Sequence, residues 1–193
     1  NIHLGSEVFF NFNLFDILDN PLNTFCNGKY MLVEFQTFMF PKGYEKHLYD
    51  LKMSGVTPII AHPERYKPIQ NNIGIINALI DSGAVIQIDC GSLLGHFGDK
   101  CKNTAISLLE KNLIHIIGSD AHNSKKRNFC LKDTIAQLNY FLDSIHIDSI
   151  LENSNKIILG EEIELFERDQ NNKQKISQRK KISQRIKNFL NIN

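Results

Sequence analysis

The sequence has no tryptophan, five prolines and four cysteines in 193 residues. Cys26, Cys90, Cys101 and Cys130 form no C-x-x-C pair and follow no even spacing. That pattern favours reduced thiols in the cytosol over a disulfide framework. No cysteine has an arginine at the sixth position after it, so the loop with which a thiolate phosphatase holds phosphate over its nucleophile is missing. There is no G-x-G-x-x-G turn after the first strand, no P-loop and no nucleophile elbow, which disfavours dinucleotide binding and nucleotide hydrolysis by phosphate cradling. No apolar run approaches the roughly 18 residues of a membrane helix, and no charged-then-apolar leader opens the chain. The expectation is a soluble, cytoplasmic protein.

The composition is that of one globular domain with a substantial core, 42% hydrophobic and 22% charged. Its net charge of +1 hides an asymmetry. Residues 167–193 hold eight lysines and arginines against Glu167 and Asp169, so the tail carries +6 and residues 1–166 carry −5. An acidic body excludes a nucleic-acid partner by composition, while the basic tail suits an anionic surface.

Apolar, β-branched runs recur at 2–10, 30–35, 56–62, 84–90 and 113–120, and read as buried strands. Helical patterns lie between the later ones, at about 43–54, 69–82 and 99–112. Ile73, Ile76, Leu79 and Ile80 share one face of the second, Ala105, Leu108 and Leu109 one face of the third, and Gly55 and Gly83 stop the first two. Connections of this length exclude hairpins and predict right-handed βαβ units around a parallel sheet, open or barrel. Function in such folds collects where strands end, at the C-terminal edge.

The strand ends supply Glu7, Glu34, His62, Asp89, and then Asp120 with His122. One acid at a strand end is usually a turn residue or helix cap, and one histidine is usually packed. Five consecutive strands delivering such groups to one edge point instead to a shared site. Carboxylates and imidazoles without thiolates suit Mn²⁺, Fe²⁺ or Zn²⁺, and bridging carboxylates let two ions sit roughly 3.5 to 4 Å apart. Such a cluster makes hydroxide from water at neutral pH.

The stretches "LGSEV" (4–8), "LVEF" (32–35), "GVTPIIAHPERY" (55–66) and "GSDAHN" (118–123), in this order, resemble the polymerase-and-histidinol-phosphatase (PHP) superfamily of metal-dependent phosphoesterases. Within it they are most similar to the bacterial capsule and exopolysaccharide tyrosine phosphatases, over about residues 1–163. The resemblance implies a distorted (β/α)7 barrel with a metal cluster, manganese above iron or zinc, and removal of phosphate from the tyrosine kinase of polysaccharide export. It also implies that Glu7 bridges two ions, Glu34 and His62 complete the second ion's shell, Asp120 serves the first and His122 the third. Arg65 and Arg127 match the family's substrate-binding pair, each able to hold phosphate oxygens in a planar fork. Around Arg127, "NSKKRN" lacks the prolines of the family pattern and offers Lys125 and Lys126 as competitors. The implied chemistry is in-line attack by a metal-bound hydroxide with no covalent enzyme intermediate.

The family's His-x-His after its first strand, the aspartate in the next loop and a further histidine after its second strand have no counterpart here. The chain is therefore expected to begin at the third strand, as the C-terminal portion of a PHP barrel over 1–166, with open edges. These 193 residues alone are expected to hydrolyse aryl phosphate feebly or not at all. A His-x-His about 70 to 80 residues upstream of Glu7, a spacing that the resemblance implies, would support an enzyme.

Among weaker signals, His115 is expected to be packed inside its strand, and His47, His96 and His146 to lie on the surface. Asp89 is expected to hydrogen-bond within its loop or behind a ligand. Phe9, Phe10, Phe12, Phe15, Phe35, Phe38 and Phe40 are expected in the core and pocket wall, with Phe38 or Phe40 placed to stack on a phosphotyrosine ring. In the tail, "KISQR" occurs at 175–179 and 181–185, and Ile182, Ile186, Phe189 and Leu190 share one helix face. That face suits a docking, oligomer or membrane-surface helix. Two other functions compete with the tyrosine phosphatase: a small-molecule phosphatase such as one for histidinol phosphate, and a non-catalytic remnant acting as a binding module.

Overall fold

The structure is a computed structural model that describes residues 2–125, 127–163 and 165. The domain boundary after residue 166 and the basic tail lie outside the described residues. Five strands, β1 (Glu7–Phe9), β2 (Tyr30–Glu34), β3 (Thr57–Ala61), β4 (Val85–Asp89) and β5 (Ile116–Gly118), form one parallel sheet in sequence order. Each strand pairs with the next, from Glu7 opposite Leu32 to Asp89 opposite Gly118. This is the predicted α/β arrangement, and among the described residues the barrel is not closed. The first and last predicted strands are shorter than their apolar runs, because Ile2 and Leu4 lie exposed and only Ile116–Gly118 of 113–120 makes the ladder.

Strand side chains alternate, so the sheet has two different faces. Val8, Met31, Val33, Ile60, Ile86, Ile88 and Ile117 point to one face and are buried there against the helices. The covering helices are α1 (Tyr44–Met53), α3 (Ile75–Asp81), α5 (Asp99–Glu110) and α7 (Ser144–Leu159), which contribute Leu48, Leu51, Ile76, Leu79, Ala105, Leu108, Ile147 and Ile150. Each fully buried leucine or isoleucine contributes roughly 1.5–3 kcal/mol of transfer free energy. The helix face predicted from Ala105, Leu108 and Leu109 is the buried one.

The other face is apolar only at its lower end, where Tyr30, Ile59, Val85 and Ile116 pack with Ile157 of α7 and with Ile163. Hydrogen bonds hold this cover in place. Lys29 Nζ donates to the Gly160 carbonyl (2.5 Å) and the Tyr30 hydroxyl to that of Glu161 (2.6 Å). The N-terminal edge is thus closed by the end of α7, and the C-terminal edge keeps its polar side chains.

The predicted helix 69–82 is two helices, α2 (Lys67–Asn71) and α3. Asn72 is extended (φ −143°, ψ 95°), and its side-chain oxygen accepts from the Gly74 N–H at 3.0 Å. An asparagine bonded to the backbone two residues on offers the chain a turn in place of the helix. Three helices escape the sequence pattern: α7, α4 (Cys90–Leu94) and α6 (Leu131–Leu138).

Candidate metal and phosphate site

The strand register lifts Glu7, Glu34 and His62 onto the polar half of the second face. Glu7 lies opposite Leu32 and so faces the same way as Glu34, two residues further on. It opens β1 rather than ending it, correcting the position read from the sequence, and sits one layer deeper than Glu34. His62 follows β3 with a left-handed backbone (φ 32°), which ends the strand and starts a short 3-10 turn at Pro63–Arg65. Histidine tolerates this conformation better than bulky or branched residues do.

One atom of each of the three side chains lies within 4.8 Å of the other two. His62 Nε2 is 2.9 Å from Glu7 Oε1 and 3.6 Å from Glu34 Oε1. Two carboxylates around one imidazole nitrogen repel each other, and a divalent cation between them removes that cost. A nitrogen with two carboxylate oxygens is a donor set that Mn²⁺, Fe²⁺ and Zn²⁺ accept. The residues therefore fit an ion of this kind.

Arg65 leaves the same turn and enters a second group. Its guanidinium pairs with Asp89 and, 2.7 Å away, with Asp120. Asp120 also accepts from Arg127 Nη2 at 2.5 Å. Burial pushes the Asp120 carboxyl up, but the Arg65 and Arg127 charges and hydrogen bonds outweigh it and hold the group below the usual carboxylate range. Arg127 reaches Asp120 because the loop folds back, with the N–H groups of His122 and Asn123 donating to its carbonyl at 2.8 and 3.0 Å. The Nε atoms of both arginines are buried and have no acceptor among the described residues. Two cationic forks that meet at one carboxylate, Asp120, are a donor type that suits an anion such as phosphate.

The seven predicted residues are thus divided. Glu7, Glu34 and His62 meet in one cluster, and Asp120 meets Arg65 and Arg127 in another. The His122 side chain is 52% exposed, with Nδ1 turned to the Asp120 carbonyl at 2.8 Å. Of the competitors for Arg127, Lys125 is exposed and Lys126 lies outside the described residues.

Other expectations need revision. His47 is half-buried, ringed by Phe10, Phe12 and Phe15, and its Nε2 lies 2.7 Å from the Phe12 carbonyl. Phe9, Phe12, Phe15 and Phe38 are exposed, while Phe10 and Phe35 are in the core. His115 is packed as predicted, its Nδ1 accepting from the Ile86 N–H at 2.8 Å.

Glu64, inside the motif but unassigned by it, is fully buried. Its Oε1 accepts from the Asp89 N–H at 3.1 Å. Burial, against the opposing pull of Ser92, His62 and Arg65, raises its carboxyl to about 7. The 3-10 turn sends Glu64 inward and Arg65 toward the site, a division that residue types alone do not signal.

The fold and the edge define the class as a parallel α/β protein that gathers a carboxylate–imidazole cluster and two arginines at the C-terminal ends of its strands. Comparison with known proteins narrows the class: the chain belongs to the capsular polysaccharide synthesis family CpsB/CapC, whose family model matches residues 1–159. It is 41% identical over 120 residues to the tyrosine-protein phosphatase YwqE of Bacillus subtilis (strain 168), covering 62% of this chain and 47% of that protein. It is 32% identical over 164 residues to the putative tyrosine-protein phosphatase CapC of Staphylococcus aureus, covering 84% of this chain and 64% of that one. A solved structure, from work on YwqE of Bacillus subtilis and CpsB of Streptococcus pneumoniae as unique metal-dependent tyrosine phosphatases, superposes with a TM-score of 0.78 at 35% identity. That match covers 83% of this chain and 65% of the other. The chain thus spans about half to two thirds of the length of these relatives. The resemblance read from the motifs is borne out, as is the parallel α/β fold.

Proposed function

We propose that this chain carries the metal- and phosphate-binding residues of a phosphatase that removes phosphate from tyrosines of a protein. The single observation that carries the reading is that His62 of the Glu7–Glu34–His62 cluster opens the turn from which Arg65 reaches Asp120, a carboxylate that Arg127 shares. Glu7, Glu34 and His62 would hold a divalent ion, with manganese ahead of iron and zinc, and Asp120 and His122 would serve further ions. A bound ion supplies the positive charge that acidifies a water and neutralises phosphate oxygens. Arg65 and Arg127 bind and orient the phosphoryl group through its equatorial oxygens, where charge is spread in the transition state. The phenolate of tyrosine is a fair leaving group, so no residue is assigned as general acid.

The names of the relatives support a phosphotyrosine protein as substrate. We infer a tyrosine kinase of polysaccharide export, met in the cytoplasm. The described residues include no helix long and apolar enough to cross a membrane. The basic tail suits a nearby anionic surface or a second copy. The test is phosphate release by the chain extended upstream through its reading frame, comparing a phosphotyrosyl peptide with histidinol phosphate, with and without manganese. Manganese-stimulated release from the peptide, lost in His62→Ala, is the expected result. Preference for histidinol phosphate, or release insensitive to His62→Ala, would overturn the reading.

A further inference from the structure

Besides Asp120 at 2.7 Å, two residues that the motifs leave unassigned, Asp89 and Phe97, lie against the Arg65 guanidinium. Asp89 is only 3% exposed, and its two oxygens have separate tasks. Oδ1 caps α4 by accepting from the Gly91 N–H at 2.6 Å, and Oδ2 pairs with the Arg65 guanidinium. Against the guanidinium lies the ring of Phe97, its centroid 3.9 Å from Arg65 Cζ, within the range of a cation–π contact. Glu64, the residue before the arginine, fixes the turn, accepting from the Asp89 N–H and offering its carbonyl to Gln70 Nε2 at 2.8 Å.

The local backbone is shaped for this enclosure. The His96 N–H donates to the Gly91 carbonyl at 2.8 Å, folding the segment after α4 back over the start of that helix. A Cβ at position 91 would stand 3.0 Å from Phe97 Cε2, 3.0 Å from His96 Nδ1 and 3.3 Å from Asp89 Oδ1. Glycine there lets Phe97 and Asp89 approach the arginine together. An arginine side chain carries about 2 kcal/mol of rotamer entropy, which enclosure removes before any ligand arrives.

We propose that Asp89 and Phe97 are positioning residues that hold the Arg65 guanidinium in one orientation, ready to receive a phosphoryl group. This role rests on the phosphatase reading of the site. Asp89 would do so through charge and Phe97 through its aromatic face, so each has a substitution that separates positioning from folding. Asp89→Asn keeps an oxygen to cap α4 and loses the charge. Phe97→Leu keeps apolar volume and loses the π face, and Phe97→Tyr keeps both.

The experiment uses the full chain with ¹⁵N-labelled arginine, reading the Arg65 side-chain NMR signals, the melting temperature and the Kd for inorganic phosphate with manganese present. In the wild type, restricted rotation should give separate Arg65 Nη signals. Asp89→Asn and Phe97→Leu should average those signals and raise the phosphate Kd about tenfold, and Phe97→Tyr should restore both. Arg65 signals unchanged in Asp89→Asn and Phe97→Leu would overturn the proposal, as would a lowered melting temperature with Arg65 and the phosphate Kd untouched. A wild-type chain that holds Arg65 rigidly yet binds no phosphate would support the positioning and count against the phosphatase reading.

Discussion

His62 Nε2 lies 2.9 Å from Glu7 Oε1, although the two residues are 55 positions apart and their strands are separated by β2. Glu34 ends that intervening strand, and its Oε1 is 3.6 Å from the same nitrogen. The sheet thus aims two carboxylates at one imidazole, and among the described residues neither carboxylate is paired with a lysine or arginine. Manganese added to the chelated chain should therefore stabilise it. At a free concentration of one hundred times Kd, the gain is about 2.7 kcal/mol, or roughly 5 to 10 °C in melting temperature. His62→Ala should lose most of that shift in a thermal melt with and without manganese. An undiminished shift in the variant would place the ion elsewhere.

Arg65 and Arg127 share Asp120 but differ in what their removal leaves behind. Arg65 is largely enclosed and also pairs with the buried Asp89, whereas Arg127 is about one-third exposed. Truncating Arg65 leaves two carboxylates short of a partner, one of them buried, at a cost of about 3 to 5 kcal/mol. Truncating Arg127 leaves Asp120 still paired with Arg65, and solvent screening holds the cost to about 1 kcal/mol or less. Urea unfolding of Arg65→Ala and Arg127→Ala should show this order. Equal destabilisation would mean that Asp89 does not depend on Arg65.

Much of this arrangement was legible in the chain. Five β-branched runs separated by helix-length segments specified a parallel sheet, and the groups at their ends specified where its chemistry collects. Legibility stopped wherever a side chain bonds to a distant or unexpected partner. The Asn72 bond that splits one predicted helix is local, but an asparagine on a helix pattern does not announce it. The Arg65 pair with Asp89 joins residues 24 positions apart through the ends of two adjacent strands, and only the register creates it. Glu7 read as a strand end because the apolar run around it is longer than the ladder, which begins at Glu7 itself.

Phe38 and Phe40, equivalent candidates by sequence, are separated by their surroundings. Phe40 packs edge-on or tilted against Phe35, Tyr44 and Tyr66, while Phe38 is 72% exposed. The Thr37 carbonyl accepts from the Lys67 N–H at 2.7 Å, which sets Phe38 in a loop beside the turn that carries Arg65. Phe38→Ala should raise KM for a phosphotyrosyl peptide about three- to tenfold, as loss of one aromatic contact would, and leave inhibition by inorganic phosphate unchanged. Phe40→Ala should instead lower stability by about 2 to 4 kcal/mol. A KM effect confined to Phe40→Ala would reverse the assignment.

Glu64 gives the domain a pH dependence opposite to that of an ion-paired carboxylate. Burial raises its carboxyl from an ordinary 4.5 to about 7, so between these values the folded chain holds a proton that the unfolded chain has released. Stability then falls as pH rises through that window. Full ionisation costs about 3 kcal/mol at pH 8 relative to pH 4. Asp120, held below the usual range, contributes in the other sense, with stability present above the ordinary carboxylate pKa and lost in stronger acid. The two windows do not overlap, which makes Glu64 separable. Glu64→Gln keeps the shape and an acceptor for the Asp89 N–H while removing the titration. Urea unfolding of the chelated chain from pH 4.5 to 8 should show wild-type stability declining and the Glu64→Gln profile nearly flat, the two diverging by about 2 to 3 kcal/mol at pH 8. Parallel profiles would mean that Glu64 ionises as an ordinary carboxylate despite its burial.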